Sequence, residues 1–141
     1  MFGYGRMTGC AVAAASALAQ CHREGCQLSS RQIAEKRNLS QPLVGKVLTV
    51  LAQAGYVVGT RGPGGGYRLA REPEEIRLFD VISVFEGGRE ASPCPFGPGW
   101  CGEGDPCPLH DFLEALGNSI SDQLKGVNLG AFVGNARTRS A

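Results

Sequence analysis

Ser29-Ser30-Arg31-Gln32-Ile33-Ala34-Glu35-Lys36-Arg37-Asn38-Leu39-Ser40-Gln41-Pro42-Leu43-Val44-Gly45-Lys46-Val47-Leu48-Thr49-Val50-Leu51-Ala52-Gln53-Ala54-Gly55 reads as two short helices and the turn between them. Ser29 with Gln32 three residues later forms a capping box, in which each side chain satisfies a backbone amide at the helix start. That helix should run to about Asn38. Ser40 is placed to cap the next helix, where Leu43, Val44, Val47, Leu48 and Leu51 recur at the three-and-four spacing of one apolar face. Gly55 supplies the left-handed residue that ends it. Two helices of this length with a tight turn make a helix-turn-helix, and the second would be the reader.

Immediately afterwards the apolar period changes from helical to alternating. Tyr56-Val57-Val58-Gly59-Thr60 and Tyr67-Arg68-Leu69 are expected to be strands, joined through Arg61-Gly62-Pro63-Gly64-Gly65-Gly66. A hairpin directly behind a reader helix is a wing. A nucleotide-phosphate loop is the competing reading, but no Gly-Lys-Ser/Thr follows and the segment leads into a strand.

Outward from this centre, Met7 to His22 is expected to be a buried amphipathic first helix, and Ile76 to Phe85 a short closing helix. Residues Arg6 to Cys21 imitate a secretory signal, but the apolar run is mostly alanine and short. Glu86 to Pro106 loses all periodicity and reads as a Gly/Pro/Cys-rich loop, too long to be idle. Pro108 should open a last helix about 28 Å long, with Leu109, Phe112, Leu113, Leu116, Ile120 and Leu124 on one stripe. Such a stripe needs a second surface, most economically its twin in a symmetric dimer. The expected architecture is therefore mainly α with a small β wing. A winged helix-turn-helix domain occupies residues 1–86, a cysteine-rich loop 87–107, the dimerisation helix and end segment 108–134, and a disordered tail 135–141.

The chain has 141 residues, 43% of them hydrophobic and 19% charged, enough for one domain with a core and an appendage but short for a two-domain enzyme. A net charge of +1 hides a strong division. Between Ser29 and Arg71 seven basic residues face one acid, a local charge of +6; between Glu72 and Glu114 ten acids face two basic residues, a local charge of −8. One half therefore suits a polyanion and the other does not. The candidate DNA contacts are Ser29, Arg31, Ser40, Gln41, Lys46, Arg61, Gly62 and Gly64. Ser40 and Gln41 sit at the start of the reader helix, where hydroxyl, amide and helix dipole meet phosphate or a base edge, with Lys46 one turn on. Gly45 reads nothing but permits close backbone approach. Arg61 is shaped for a narrow minor groove, and the glycines bring wing amides towards the sugar-phosphate backbone.

The other chemistry lies in Cys94-x6-Cys101-x5-Cys107-x2-His110. Three thiolates in a Gly/Pro loop can wrap a soft metal centre, and His110 follows Cys107 by one helical turn. Structural zinc favours paired Cys-x2-Cys knuckles, which this loop lacks. Iron-sulfur, zinc and metal-free redox thiols all stay open on chemistry alone. Cys10, Cys21 and Cys26 show no ligand spacing, and Cys10 and Cys21 read as small buried thiols. No Ser/His/Asp set, nucleophile elbow or dinucleotide fingerprint is present, so an enzyme or a small-molecule substrate is not expected.

Helix-turn-helix, an Arg61-to-Tyr67 wing string, a three-cysteine loop and a long last helix, in that order, resemble the iron-sulfur regulators of the IscR and NsrR family. The likeness runs from Met7 to about Val133. It implies a cytoplasmic, homodimeric transcription factor, not a membrane protein, that binds a palindromic duplex of double-stranded DNA. It further implies an iron-sulfur cluster on Cys94, Cys101 and Cys107, with 2Fe-2S favoured over 4Fe-4S. His110 falls where IscR-like members place a histidine fourth ligand. NsrR-like members use an N-terminal aspartate of the partner subunit, and Met7-Thr8-Gly9-Cys10 offers no acid. In this reading cluster supply, nitric oxide or redox state controls DNA affinity or site choice. A zinc-stabilised DNA-binding module and a thiol-based redox switch are the alternatives.

Overall fold

The computed structural model describes residues 5–86 and 105–133. In chain order the elements are α1 (Arg6–His22), α2 (Ser30–Arg37), α3 (Gln41–Gln53), β1 (Val57–Thr60), β2 (Gly66–Leu69), a 3-10 turn (Pro73–Glu75), α4 (Leu78–Glu86), α5 (His110–Gly126) and a second 3-10 turn (Leu129–Phe132). Mainly helical, with one antiparallel hairpin registered from Val57 opposite Leu69 to Thr60 opposite Gly66, the fold is a winged helix.

Helix α1 is buried, as its alanine-rich sequence predicts, and forms the hub of the fold. It packs on α2, α3, α4, β2 and the second 3-10 turn, and Ala11, Ala14, Ala15, Ala17 and Ala19 are all buried along it. Alanine is the physical reason: with a methyl as side chain, neighbours approach the helix axis from several directions while propensity stays maximal. The core they enclose adds Leu18, Ile33, Val44, Val47, Leu48, Leu51, Val57, Leu69, Ile76 and Val81.

Local signals operate much as the sequence predicts. Ser29 Oγ accepts the Gln32 amide at 3.1 Å and Gln32 Oε1 accepts the Ser29 amide at 2.8 Å, closing the capping box. Helix α2 ends at Asn38, held at φ 52°, and Gly55 leaves α3 at φ +86°. Ser40 occupies the N-cap of α3, but its side chain makes no capping bond.

Two helix starts differ. The closing helix begins at Leu78, because Ile76 is extended: its carbonyl accepts the Leu129 amide, and Arg77 bridges to Asn128. The last helix begins at His110, with Pro108 and Leu109 in the preceding turn. The segment behind it turns back, so that Leu129 is wholly buried in the core shared by α1, α3 and the hairpin. The proposed tail, 135–141, lies outside the described residues.

Candidate DNA interface and metal centre

The wing is attached to the helix-turn-helix by backbone pairing. Leu28 bridges to Tyr67, while Thr60 Oγ1 donates to Gln27 Oε1, so residues just before α2 extend the hairpin. Gly66 permits this contact: a Cβ there would lie 2.8 Å from the Leu28 carbonyl. At the tip, Gly62 at φ +96° and Gly64 at φ +74° make the reversal that other residues resist.

Arg31, Ser40, Gln41, Lys46, Arg61, Gly62 and Gly64 are all exposed, while Ser29 is half-buried under its cap. The basic residues divide into two groups. Arg31 pairs with Glu35 at 3.0 Å, Arg71 lies over the Tyr56 ring, and the Arg37 guanidinium donates to Ala13 O, Ser16 Oγ and Gln20 Oε1 of α1. Arg37 therefore serves the α1–α2 contact and is not a free charge. Lys36, Lys46, Arg61 and Arg68 are exposed and, among the described residues, make no side-chain hydrogen bond or ion pair.

At the other pole, Glu86 ends α4 immediately before the cysteine loop. Its carboxylate accepts the Gly5 amide at 2.9 Å and the hydroxyl of buried Thr8 at 2.5 Å, so the entry to the loop is tied to the start of α1. Cys94 and Cys101 lie outside the described residues. Cys107 is only 4% exposed, whereas Asp105, Pro106, Pro108 and Leu109 around it face solvent. The His110 amide donates to the Cys107 carbonyl at 3.0 Å, which puts the two side chains on one turn, with His110 half-buried. His110 Nε2 is 3.9 Å from Glu114 Oε2, and Asp111 adds a third donor nearby. An inward thiol one turn from an accessible imidazole fits a soft-metal or cluster site; the exposed carboxylates beside it do not distinguish one.

Two other cysteine expectations meet different outcomes. Cys10 is a buried thiol whose burial pushes its pKa above the ordinary value. Cys21, also buried, is not a solitary thiol: it is joined to Cys26 as a disulfide across a Cα separation of 5.5 Å. Their spacing of five residues gives no motif, and only the turn at the end of α1 brings them together.

Residues 5–135 match the Rrf2 family, described as an iron-dependent transcriptional regulator. The chain belongs to the Rrf2 family. This Rrf2 chain is 37% identical over 98 residues to the HTH-type transcriptional regulator IscR of Aliivibrio salmonicida (strain LFI1238), covering 70% of this chain and 58% of that regulator's length. Among solved structures it is similar to T. potens IscR, with TM-score 0.78 and 29% identity over 99% of this chain and 92% of that one. It is equally close in shape to CymR, the global cysteine regulator of B. subtilis, with TM-score 0.78 and 25% identity over 96% and 98% of the two chains. Its relatives are DNA-binding transcriptional regulators, not enzymes. Among the described residues, no helix is long and apolar enough to cross a membrane.

Proposed function

We propose that this Rrf2 protein is a homodimeric regulator whose binding to a palindromic duplex is set by an iron-sulfur cluster held by Cys94, Cys101, Cys107 and His110. The inward-turned Cys107, buried in an otherwise exposed Pro-flanked turn and one helical turn from His110, carries this reading. When bound, such a cluster supplies reversible electron uptake and sensitivity to oxidants and nitric oxide. The chain's own residues do the rest. Cys107 and His110 sit at the entry to α5, while the loop's other end is held by Glu86 to the first turn of the hub helix. Order in the loop therefore biases α5 against the domain that carries the reader helix.

DNA is engaged by Lys46 and by Ser40 and Gln41 at the start of α3, by Arg61, Gly62 and Gly64 in the wing, and by Ser29 and Arg31 at α2. Half-sites one DNA turn apart, ~34 Å, require two copies. The stripe on α5 supplies the contact: Phe112 is 61% and Leu109 45% exposed, and Leu113, Leu116, Ile120 and Leu124 are only half-covered within one chain.

The test is the absorption spectrum of anaerobically purified protein. Wild type should show visible cluster bands that Cys94→Ala, Cys101→Ala and Cys107→Ala abolish, and His110→Ala should shift those bands or make them labile. A colourless protein with one zinc per subunit overturns the cluster. A wild-type spectrum in His110→Ala removes His110 from the ligand set.

A further inference from the structure

The disulfide between Cys21 and Cys26 lies far along the chain from Cys94, Cys101 and Cys107, just before the Gln27–Leu28 segment on which the wing is seated. Cys21 is in the last turn of α1, 4% exposed within the core, and Cys26 is half-buried beyond a turn in which Gly25 takes φ +67°. The Cys26 amide donates back to the Cys21 carbonyl at 3.4 Å, so the turn presents the two sulfurs to each other.

The three residues after Cys26 each hold a different part of the DNA-binding surface. Gln27 Oε1 accepts from Thr60 Oγ1 on β1. Leu28 exchanges two backbone hydrogen bonds with Tyr67 on β2. Ser29 caps α2. Whatever fixes Cys26 thus fixes the common root of the wing and the helix-turn-helix, and Cys21 anchors it to the hub helix. A regulator of transcription works among DNA, where the thiol pool is usually reducing and a disulfide is usually transient.

We propose that Cys21 and Cys26 are a reversible dithiol–disulfide site, oxidised by hydroperoxides, whose closed state holds the wing root and raises DNA affinity. Cys26, the more accessible sulfur, attacks the peroxide oxygen as thiolate. The O–O bond breaks, leaving a sulfenic acid on Cys26 and an alkoxide or hydroxide that takes up the proton Cys26 released. Cys21 then attacks the Cys26 sulfur, the S–O bond breaks, and hydroxide leaves as water with the Cys21 proton. The two thiols lose two electrons and two protons, and the peroxide becomes alcohol and water. A dithiol reductant reverses the change by exchange. This input is separate from any cluster and rests on the proposed DNA binding alone.

The experiment uses full-length protein, reduced or treated with hydrogen peroxide, and a duplex selected from a random pool by the reduced protein. Proteolytic mapping should recover a Cys21–Cys26 linked peptide after peroxide that is absent after dithiol treatment. Peroxide should also tighten duplex binding in wild type at least about fivefold relative to its effect in Cys21→Ser and in Cys26→Ser. Comparison with these variants, which keep Cys94, Cys101 and Cys107, cancels any loss of a cluster. Absence of the linked peptide overturns the proposal, as does a linked wild type whose affinity change equals or falls below that of both variants. Failure of the reduced protein to select any duplex would overturn the DNA-binding reading instead, while the peptide map still decides whether the thiol site exists.

Discussion

Leu28 and Tyr67 exchange both of their backbone hydrogen bonds, Leu28 N–H to Tyr67 O at 3.0 Å and Tyr67 N–H to Leu28 O at 2.7 Å. The wing is therefore seated on the start of the helix-turn-helix by a bridge between residues 39 apart in sequence, which joins the two parts of the candidate interface directly.

Gly66→Ala should break that seat. The added methyl meets the Leu28 carbonyl and the Ser29 nitrogen, backbone atoms that have no rotamer to change. A loss of about 1–3 kcal/mol in unfolding free energy is expected by denaturant titration, together with weaker duplex binding. Stability and affinity equal to wild type would show that the wing is not seated through this contact.

Lys46→Ala and Arg61→Ala should each weaken duplex binding and lower the slope of log affinity against log salt by about one, since each removes a charge that displaces counterions from phosphate. Arg37→Ala should behave differently: its guanidinium is held by Ala13, Ser16 and Gln20, so stability falls while the salt slope stays. Binding isotherms at several salt concentrations separate the two. Equal slopes in wild type and both surface variants would remove α3 and the wing from the interface.

Leu116→Glu and Ile120→Glu should yield monomers with poor duplex binding, because a carboxylate on the α5 stripe would be desolvated opposite its symmetry mate. Both residues are only half-covered within one chain, so folding should survive. Sedimentation velocity gives the answer, and an intact dimer would mean that the stripe packs elsewhere.

Asp80→Asn should flatten the acid limb of the stability curve. The Arg77 side chain, 2.8 Å away, is the main cause that holds the Asp80 carboxyl below its ordinary value, and the Arg77 amide adds a further hydrogen bond at the start of α4. A carboxyl depressed on folding contributes stability that is complete above its unfolded pKa of about 3.9 and is lost as pH falls below it. Wild type should lose that contribution between about pH 5 and the depressed value, whereas the Asn variant should lose less over the same range and start lower at neutral pH, having lost the charge that pairs with Arg77. Parallel curves for the two proteins would refute the assignment.

What the sequence determined by itself is local or periodic. A Ser29–Gln32 capping box closes within four residues, the apolar face of α3 repeats at helical spacing, and the wing glycines sit where the backbone must reverse; each is a preference of a short segment that the rest of the chain has no cause to override. The cysteine-loop pattern and the basic half of the chain were equally legible, because spacing and charge are properties of the string. Tertiary structure alone decided which groups remain available. Arg37 counts among the seven basic residues of the Ser29–Arg71 half until α1 takes it, Ile76 reads as helix until Leu129 pairs with it, and Cys21 reads as an inert core thiol until the α1 turn brings Cys26 to it. Each of these depends on a partner whose identity no propensity or period encodes, since the favourable contact exists only after hydrophobic burial has brought distant or turn-separated residues together.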